Sequence, residues 1–483
     1  MNPDAVQKVR YEDVPYPNLV QRWSHPRVVG AMAALWGIDA APVEHCRVLD
    51  IGCGTATNVI AMAYDLPESK FVGVDVAPAQ IASGQAQATA LGLDNVRLIA
   101  GSVADLGDDL GLFDYIICHG VYTWVAPPVR ELVLANARRL LAPHGVFYMS
   151  YNCYPGWHFG DLVKTLFLRR TDPNAAPLDR VQQARQILHS ISSAAEVGTL
   201  TSAAMMMEKA FIENMSDSYI YHEYFEPDQS AIFFEDAVRQ TQDHDLRYLA
   251  NARPERQLPS TQPPTIRAAL ETTPSRELQQ QLVDHFVGTR FRRTLFCRGD
   301  GPEPMLAMDP EVLDRLHARI PRGHALDETD ETTLGLVLDG ERTVTVNRGT
   351  VAEVLTRLSE ASPVSIALST VLAGVGDARR QVAAELLGLF FAGALELSLG
   401  PISAARTLAE HPTASPLARI QATLDPMVTS RLHVSEHLDA LSRQVIQLLD
   451  GSRTVADIMA ETGTTQAQID HMVGEFLVKN LLI

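Results

Sequence analysis

A strand followed by a glycine-rich turn near residue 50 constrains the fold of this chain more than any other segment. Residues 48–57 read Val-Leu-Asp-Ile-Gly-Cys-Gly-Thr-Ala-Thr. Gly52 and Gly54 lack side chains, so the backbone can turn sharply and let a ligand lie against its amides at the start of the next helix. A plain strand-to-helix connection in any α/β protein can have the same spacing, so the segments that follow must decide between the two interpretations.

Apolar runs typical of strands alternate with helical patterns beyond this turn. Because such alternation predicts a parallel sheet with helices on both faces, ligands are expected at the carboxyl ends of its strands. The expected strands after the first cover 71–75, 93–100, 113–119 and 145–150, and the expected helices cover 58–66, 78–91 and 129–141.

Acidic residues at the strand ends indicate which ligand the turn holds. Asp50 places a negative charge beside a cationic methionine group, and Asp75 ends the second strand, where a carboxylate suits two ribose hydroxyls. A dinucleotide fingerprint would require a third glycine where this chain has Thr57. We therefore predict an S-adenosylmethionine site formed by Asp50, Gly52, Gly54, Asp75, Ser102, Val103 and His119.

The composition indicates a soluble, globular protein. The chain has 483 residues, and its formal net charge of −18 disfavours a nucleic-acid or anionic-membrane partner. Residues 1–10 lack the apolar core of a signal peptide, and the most apolar run, 386–395, is too short to cross a bilayer. Five scattered cysteines indicate free thiols in a reducing compartment, so we expect a cytoplasmic location.

Changes in composition and in hydrophobic pattern divide the chain into four regions. The final region has a helix-turn-helix pattern, but residues 436–479 carry seven acidic side chains against three basic ones. This charge favours a role in protein interaction or scaffolding over DNA binding. The predicted fold class is α/β, a Rossmann-like class I methyltransferase sheet followed by helical and winged-helix-like parts. The expected domains are a methyltransferase domain with an N-terminal helical cap over 1–170, a helical regulatory or interaction domain over 171–298, a first helical module over 303–400 and a second, winged-helix-like module over 401–483.

Aromatic residues cluster in the two loops that follow the fourth and fifth expected strands. The first loop carries Tyr122 and Trp124, and the second carries Tyr154 and Trp157. Aromatic faces attract cations by roughly 0.5 to 2 kcal/mol, and both a sulfonium and a substrate ammonium are cations. These rings therefore indicate a cation-binding wall, with packing at the edge of the sheet as the alternative.

The chain resembles the bacterial protein lysine methyltransferases that modify outer-membrane proteins, together with their relatives that carry a methyltransferase regulatory domain. Two positions depart from common methyltransferase patterns: Ala56 stands where a third glycine is frequent, and Ser102 stands where an acid often contacts adenine. The motifs that carry the resemblance are Asp50-Ile-Gly-Cys-Gly54, His119-Gly-Val-Tyr-Thr-Trp124, Ser150-Tyr-Asn-Cys-Tyr-Pro-Gly-Trp157, His222-Glu-Tyr224, Phe291-Arg-Arg-Thr-Leu295 and Leu449-Asp-Gly-Ser-Arg453.

The resemblance implies methyl transfer to a lysine amine of a protein or peptide substrate. A partly dry aromatic pocket would lower the pKa of that amine, and His119 or Glu223 would accept its proton or orient it. Tyr11 and Tyr16 either close the pocket or pack the N-terminal segment. The implied catalytic residues are His119, Tyr122, Trp124, Tyr154, Trp157 and Glu223.

Other functions stay open at this point. The chain could methylate a small molecule or a biosynthetic peptide, or it could bind S-adenosylmethionine only as a structural ligand. A homodimer is also open. His433-Val-Ser-Glu-His437 matches a zinc-peptidase pattern, but nothing else in the sequence indicates a peptidase, so a structural role is favoured and no metal is expected.

Overall fold

The computed structural model describes residues 14–483 apart from 15, 18, 195–197, 254, 256–257, 306–308, 328–330, 339 and 341. Tyr11 and the N-terminal ten residues lie outside the described residues. Within the described part of the chain, no helix combines the length and the apolar character needed to cross a membrane.

A seven-stranded sheet forms the centre of the N-terminal half. Its strands are β1 Arg47–Ile51, β2 Lys70–Asp75, β3 Val96–Ala100, β4 Phe113–Cys118, β5 Leu141–Asn152, β6 Leu246–Asn251 and β7 Phe291–Arg298. They lie in the order β3-β2-β1-β4-β5-β7-β6. The first five are parallel, and β7 runs antiparallel to both of its neighbours. Because the strand order reverses between β1 and β4, a ligand crevice is expected beside their carboxyl ends.

Helices cover both faces of this sheet. Successive residues of β1 point to opposite sides, so Val48 belongs to one apolar core and Leu49 to the other. Strands buried on both faces read as continuous apolar runs, which is why the sequence pattern located them. The flanking helices are α1 Pro26–Leu35, α2 Thr57–Asp65, α3 Pro78–Ala90 and α4 Pro127–Leu140. The α/β fold class is confirmed.

The last two strands come from a region that the sequence pattern indicates as helical. In β7, Arg292 interrupts the apolar run, but its guanidinium is buried and donates to both carboxylate oxygens of Asp284 at 2.7 and 2.9 Å. In a sequence, a charge that is neutralised inside the fold cannot be told from a surface residue, so the pattern does not indicate a strand here. The predicted boundaries near residues 170, 298 and 400 stay predictions.

Seven helices lie among the described residues between β5 and β7. Four of them enclose a separate apolar core that contains Trp157, Phe167 and Tyr224. The helices are α5 His158–Arg170, α6 Pro177–Ala194, α7 Leu200–Glu213, α8 Asp217–Phe225, α9 Phe234–Asp243, α10 Pro264–Glu271 and α11 Arg276–Val287.

The C-terminal part contains small sheets as well as the expected helices. Thr465 caps the final helix through a reciprocal capping box with Gln468. The first set of elements is β8 His317–Arg319, β9 Ala325–Asp327, β10 Thr333–Leu338, β11 Arg342–Asn347, α12 Thr350–Ala361, β12 Ile366–Ala367, α13 Leu368–Leu372, α14 Arg379–Phe391 and β13 Glu396–Ser398. The second set, which we call the C-terminal module, is α15 Pro416–Leu424, β14 Met427–Thr429, β15 Ser435–His437, α16 Ala440–Leu448, α17 Val455–Thr462 and α18 Gln466–Val478.

Candidate active site

A cavity opens at the carboxyl ends of β1 and β4, where the strand order reverses. Its empty space, open mouth included, is about 1340 Å³, which is ample for a nucleoside-sized ligand. Trp124 also lines it. The cavity brings together every residue expected to bind the cofactor: Asp50, Gly52, Gly54, Asp75, Ser102, Val103 and His119.

The turn after β1 has three residues in the left-handed region of backbone space. Gly52 has a φ of +74° and Gly54 a φ of +57°. A Cβ at residue 52 would lie 2.3 Å from Val121 Cγ2, so this position also lacks room for a side chain. Ala56 adopts a φ of +58° with its methyl group fully buried, a conformation that costs a non-glycine residue about 1 to 2 kcal/mol.

Asp75 joins the two loops that border the cofactor cavity. One carboxylate oxygen accepts a hydrogen bond from the Gly54 amide and the other accepts one from the Ala77 amide, both at 2.9 Å. A carboxylate has about four acceptor positions, so two remain for ribose hydroxyls. Burial raises the pKa of Asp75 above its ordinary value. The remaining acceptor positions of Asp75 therefore fit the ribose hydroxyls of S-adenosylmethionine.

Replacing Asp75 by alanine should weaken cofactor binding by about 1.5 to 3 kcal/mol, because the ribose hydroxyls lose their charged acceptor. Titration calorimetry with S-adenosylhomocysteine measures this loss. The exposed Asp94, which precedes β3, provides the control Asp94→Ala, for which we expect wild-type affinity. Equal cofactor affinities of the two variants would show that Asp75 does not bind the cofactor.

Asp50 and Asn58 form a buried pair in the lining of the cavity. The Asn58 side-chain amide donates to the Asp50 carboxylate at 3.4 Å, and burial raises the pKa of Asp50 to about 7. A cationic ligand would favour the ionised carboxylate. Asn58 was not among the expected site residues; the available signal was its position in the first turn of the helix that follows the glycines.

His119 lies at the end of β4 as a neutral, oriented ring. Its Nδ1 atom is 2.9 Å from the Tyr148 hydroxyl. Burial, together with the charge of Arg293, lowers the pKa of His119 to about 3. Such an imidazole binds protons weakly at neutral pH, so it suits hydrogen bonding better than proton acceptance.

Two aromatic side chains, Trp124 and Tyr16, line the cavity near His119, and the Phe291 ring packs behind Trp124. The Phe291 ring meets the His119 ring edge-on at 5.8 Å and the Trp124 ring at 6.4 Å between centroids. Tyr16 also lines the cavity, and its ring lies 6.0 Å from that of Tyr219 on α8. The contact of Phe291 with these rings is not expected from the sequence, because β7 lies more than 150 residues further along the chain than His119.

Glu223 does not line the cavity but is linked to the loops that form its wall. The Asn152 side-chain amide donates to the Glu223 carboxylate at 3.1 Å, and the Asn152 backbone amide donates to the Thr123 hydroxyl at 3.0 Å. The second carboxylate oxygen of Glu223 is buried and has no hydrogen-bond partner among the described residues. Burial raises the pKa of Glu223 to about 7.

Three other expected catalytic residues lie apart from the cavity. Tyr122 is buried in the core on one face of the sheet and donates to Gln240 at 2.6 Å. Tyr154 donates to Asp161 at 2.6 Å and stacks on His158. Trp157 is buried in the helical core between β5 and β6, so the two aromatic loops do not converge on one pocket. Their catalytic roles stay predictions.

The residues of the motif at 433–437, which matches a zinc-peptidase pattern, contact different partners and do not converge on one point. His433 contacts Asn58, and Glu436 forms an ion pair with Arg322. Within the described ranges, no group of three or more His, Cys, Asp or Glu side chains is arranged to hold a metal ion.

Comparisons with known proteins agree with this architecture. The fold and the cavity define a class I methyltransferase that uses S-adenosylmethionine. Residues 42–246 match the model of a methyltransferase domain, residues 216–298 that of a predicted methyltransferase regulatory domain, and residues 410–472 that of the PKMT C-terminal winged helix domain. The chain belongs to this PKMT family of methyltransferases, as the sequence resemblance predicted.

Two similar sequences come from Rickettsia prowazekii. An uncharacterized protein is 32% identical over 243 residues, 50% of this chain and 97% of that protein. A second uncharacterized protein is 31% identical over 60% of this chain, and the match spans about half, 53%, of that relative's length. The solved structure of PKMT2 from Rickettsia typhi in complex with AdoHcy has the same fold, with a TM-score of 0.84, 24% identity and coverage of 97% of this chain and 100% of that one.

Proposed function

We propose that this protein transfers a methyl group to the side-chain amine of lysine in a protein substrate. The observation that carries the proposal is a wall of aromatic rings beside the cofactor cavity, with a buried carboxyl group linked to it. Membership of the PKMT family supports a protein substrate. The net charge of −18 supports a basic substrate segment, which would be attracted to this chain.

The acceptor amine must be uncharged to react. When bound, S-adenosylmethionine supplies a methyl group that its sulfonium already activates. Free lysine has a pKa of about 10.4, so most of its amines are protonated at neutral pH. Trp124 lines the cavity and the Phe291 ring packs edge-on against it, so this side of the cavity is apolar, and such an environment disfavours the ammonium form.

Glu223 is the proton acceptor that we favour over His119. A general base works best when its pKa lies near the working pH. Burial raises the pKa of Glu223 to about 7, whereas burial lowers the pKa of His119 to about 3. Glu223 lies outside the cavity, so in this proposal the proton reaches it through a bridging water, for which its buried oxygen without a hydrogen-bond partner among the described residues is the acceptor. In this proposal, His119 orients the reacting groups through its neutral ring.

The proposal is tested by incubating the protein and radiolabelled S-adenosylmethionine with a bacterial lysate. We expect label in protein and, after acid hydrolysis, in methylated lysine. Label in a protein amino acid other than lysine would contradict the lysine assignment. Label only in small molecules would favour a small-molecule methyltransferase, and cofactor binding without transfer would favour a structural ligand.

Replacing Trp124 by alanine should lower turnover about tenfold while changing cofactor affinity less. Water that enters the enlarged cavity restores the charged form of the amine, so the remaining activity should shift to higher pH. The matched variant Trp157→Ala removes a ring from the helical core and should mainly lower the free energy of unfolding, by about 3 to 5 kcal/mol. If Trp157→Ala keeps the free energy of unfolding of the wild type but has low turnover, Trp157 acts in the acceptor site and not as a packing residue.

A further inference from the structure

The loop between β14 and β15 extends from the C-terminal module into the cofactor-binding half of the protein. The Ser435 hydroxyl accepts a hydrogen bond from the Val20 amide at 3.0 Å, and Arg431 lies 3.6 Å from the Asp65 carboxylate. The His433 ring meets the His25 ring edge-on at 4.9 Å. Three neighbouring residues, two in this loop and one at the start of β15, thus contact the segment that leads to α1 and the end of α2.

His433 is the innermost of these contacts. It is buried, and its φ of +54° is rare for a residue that carries a side chain. Its Nε2 atom lies 2.8 Å from Asn58 Oδ1. An amide oxygen only accepts hydrogen bonds, so the imidazole donates from Nε2. Asn58 Oδ1 also accepts a hydrogen bond from the Gln21 amide at 2.9 Å.

These two donors fix the orientation of the Asn58 amide. With Oδ1 held by His433 and Gln21, the Nδ2 group points the other way and donates to Ser24 and to Asp50. The opposite orientation would place an amide oxygen against the Asp50 carboxylate, which repels it. Asn58 and Asp50 both line the cofactor cavity, whereas His433 does not.

We propose that His433 is a positioning residue for the cofactor site, through which the C-terminal module sets the affinity for S-adenosylmethionine. It acts by holding Asn58 so that the amide donates to Asp50. The module therefore completes the site from a distance of about 375 residues along the chain. This inference rests on cofactor binding by the cavity and is independent of which acceptor is methylated.

The test is calorimetric titration of S-adenosylhomocysteine into the full-length variant His433→Gly. Glycine adopts the positive φ without strain, so the loop keeps its path while the imidazole is lost. We expect affinity to fall about tenfold, as for a lost buried hydrogen bond. His433→Gln should recover much of it, since its amide nitrogen can reach the same acceptor. His437→Ala, an exposed histidine of the same hairpin, should bind as the wild type does.

A double-mutant cycle separates positioning from general stability. Once Asn58→Ala has removed the acceptor, His433→Gly should cause no further loss of affinity. An equal loss in both backgrounds would overturn the proposal, because the histidine would then act without Asn58. Wild-type affinity in folded His433→Gly would overturn it as well. Neither outcome would affect the proposed methylation of lysine, which is measured separately.

Discussion

Replacing Gly52 by valine should abolish cofactor binding. The residue has a positive φ that β-branched side chains do not tolerate, and a Cβ would meet Val121 at 2.3 Å. The turn would have to open, which moves the amides that border the cavity. We expect affinity for S-adenosylhomocysteine to fall at least about 100-fold by calorimetry, since strain and clash together exceed about 3 kcal/mol.

Gly92 provides the matched control for this substitution. It also has a positive φ, of +66°, but a Cβ there would meet no atom within 4 Å. Gly92→Val carries the backbone strain alone, in a loop between α3 and β3. It should lower thermal stability and leave cofactor affinity unchanged. Normal binding by Gly52→Val would show that the turn is not part of the site.

Replacing Glu223 by glutamine should lower turnover about 100-fold, the lower end of the range for a lost general base. Glutamine keeps the shape of the side chain and can still accept the hydrogen bond from Asn152. Because Glu223 lies outside the cavity, affinity for S-adenosylhomocysteine should remain as in the wild type. Initial rates with a lysine-containing protein acceptor, measured at saturating cofactor, would show the effect.

The pH profile gives an independent test of the same residue. Burial raises the pKa of Glu223 to about 7, so the carboxyl group is protonated and inactive as a base below that pH. Wild-type turnover should therefore rise as the pH increases through 7, and Glu223→Gln should lack this rise. Glu213→Gln, an exposed glutamate on α7, serves as the control. An unchanged rise in Glu223→Gln would assign the titration to another group.

The sequence predicts the cofactor side of the site much better than the acceptor side. Asp50, Gly52 and Gly54 lie on one strand and turn, and Asp75 ends the neighbouring strand, so local pattern is enough to bring them together. On the acceptor side, Phe291 packs against the rings of His119 and Trp124, and it reaches this position only through the pairing of β5 with β7. No local pattern indicates that pairing.

The aromatic loops illustrate a second limit of sequence interpretation. Trp124 and Tyr122 are two residues apart, yet Trp124 lines the cavity and Tyr122 packs into a core on one face of the sheet. Composition indicates that a loop is rich in aromatic rings, but the direction of each ring depends on backbone turns that the pattern does not specify. Trp157 is directed into the helical core for the same reason.

The placement of β6 and β7 has a consequence for how this protein can be controlled. Both strands lie within the segment that matches the regulatory domain, and they complete the catalytic sheet. Removing that segment would leave β5 as a long edge strand with apolar side chains on both faces, which is a template for aggregation. The regulatory region therefore cannot work as a detachable inhibitor. Any control of catalysis through this region has to leave the seven-stranded sheet intact.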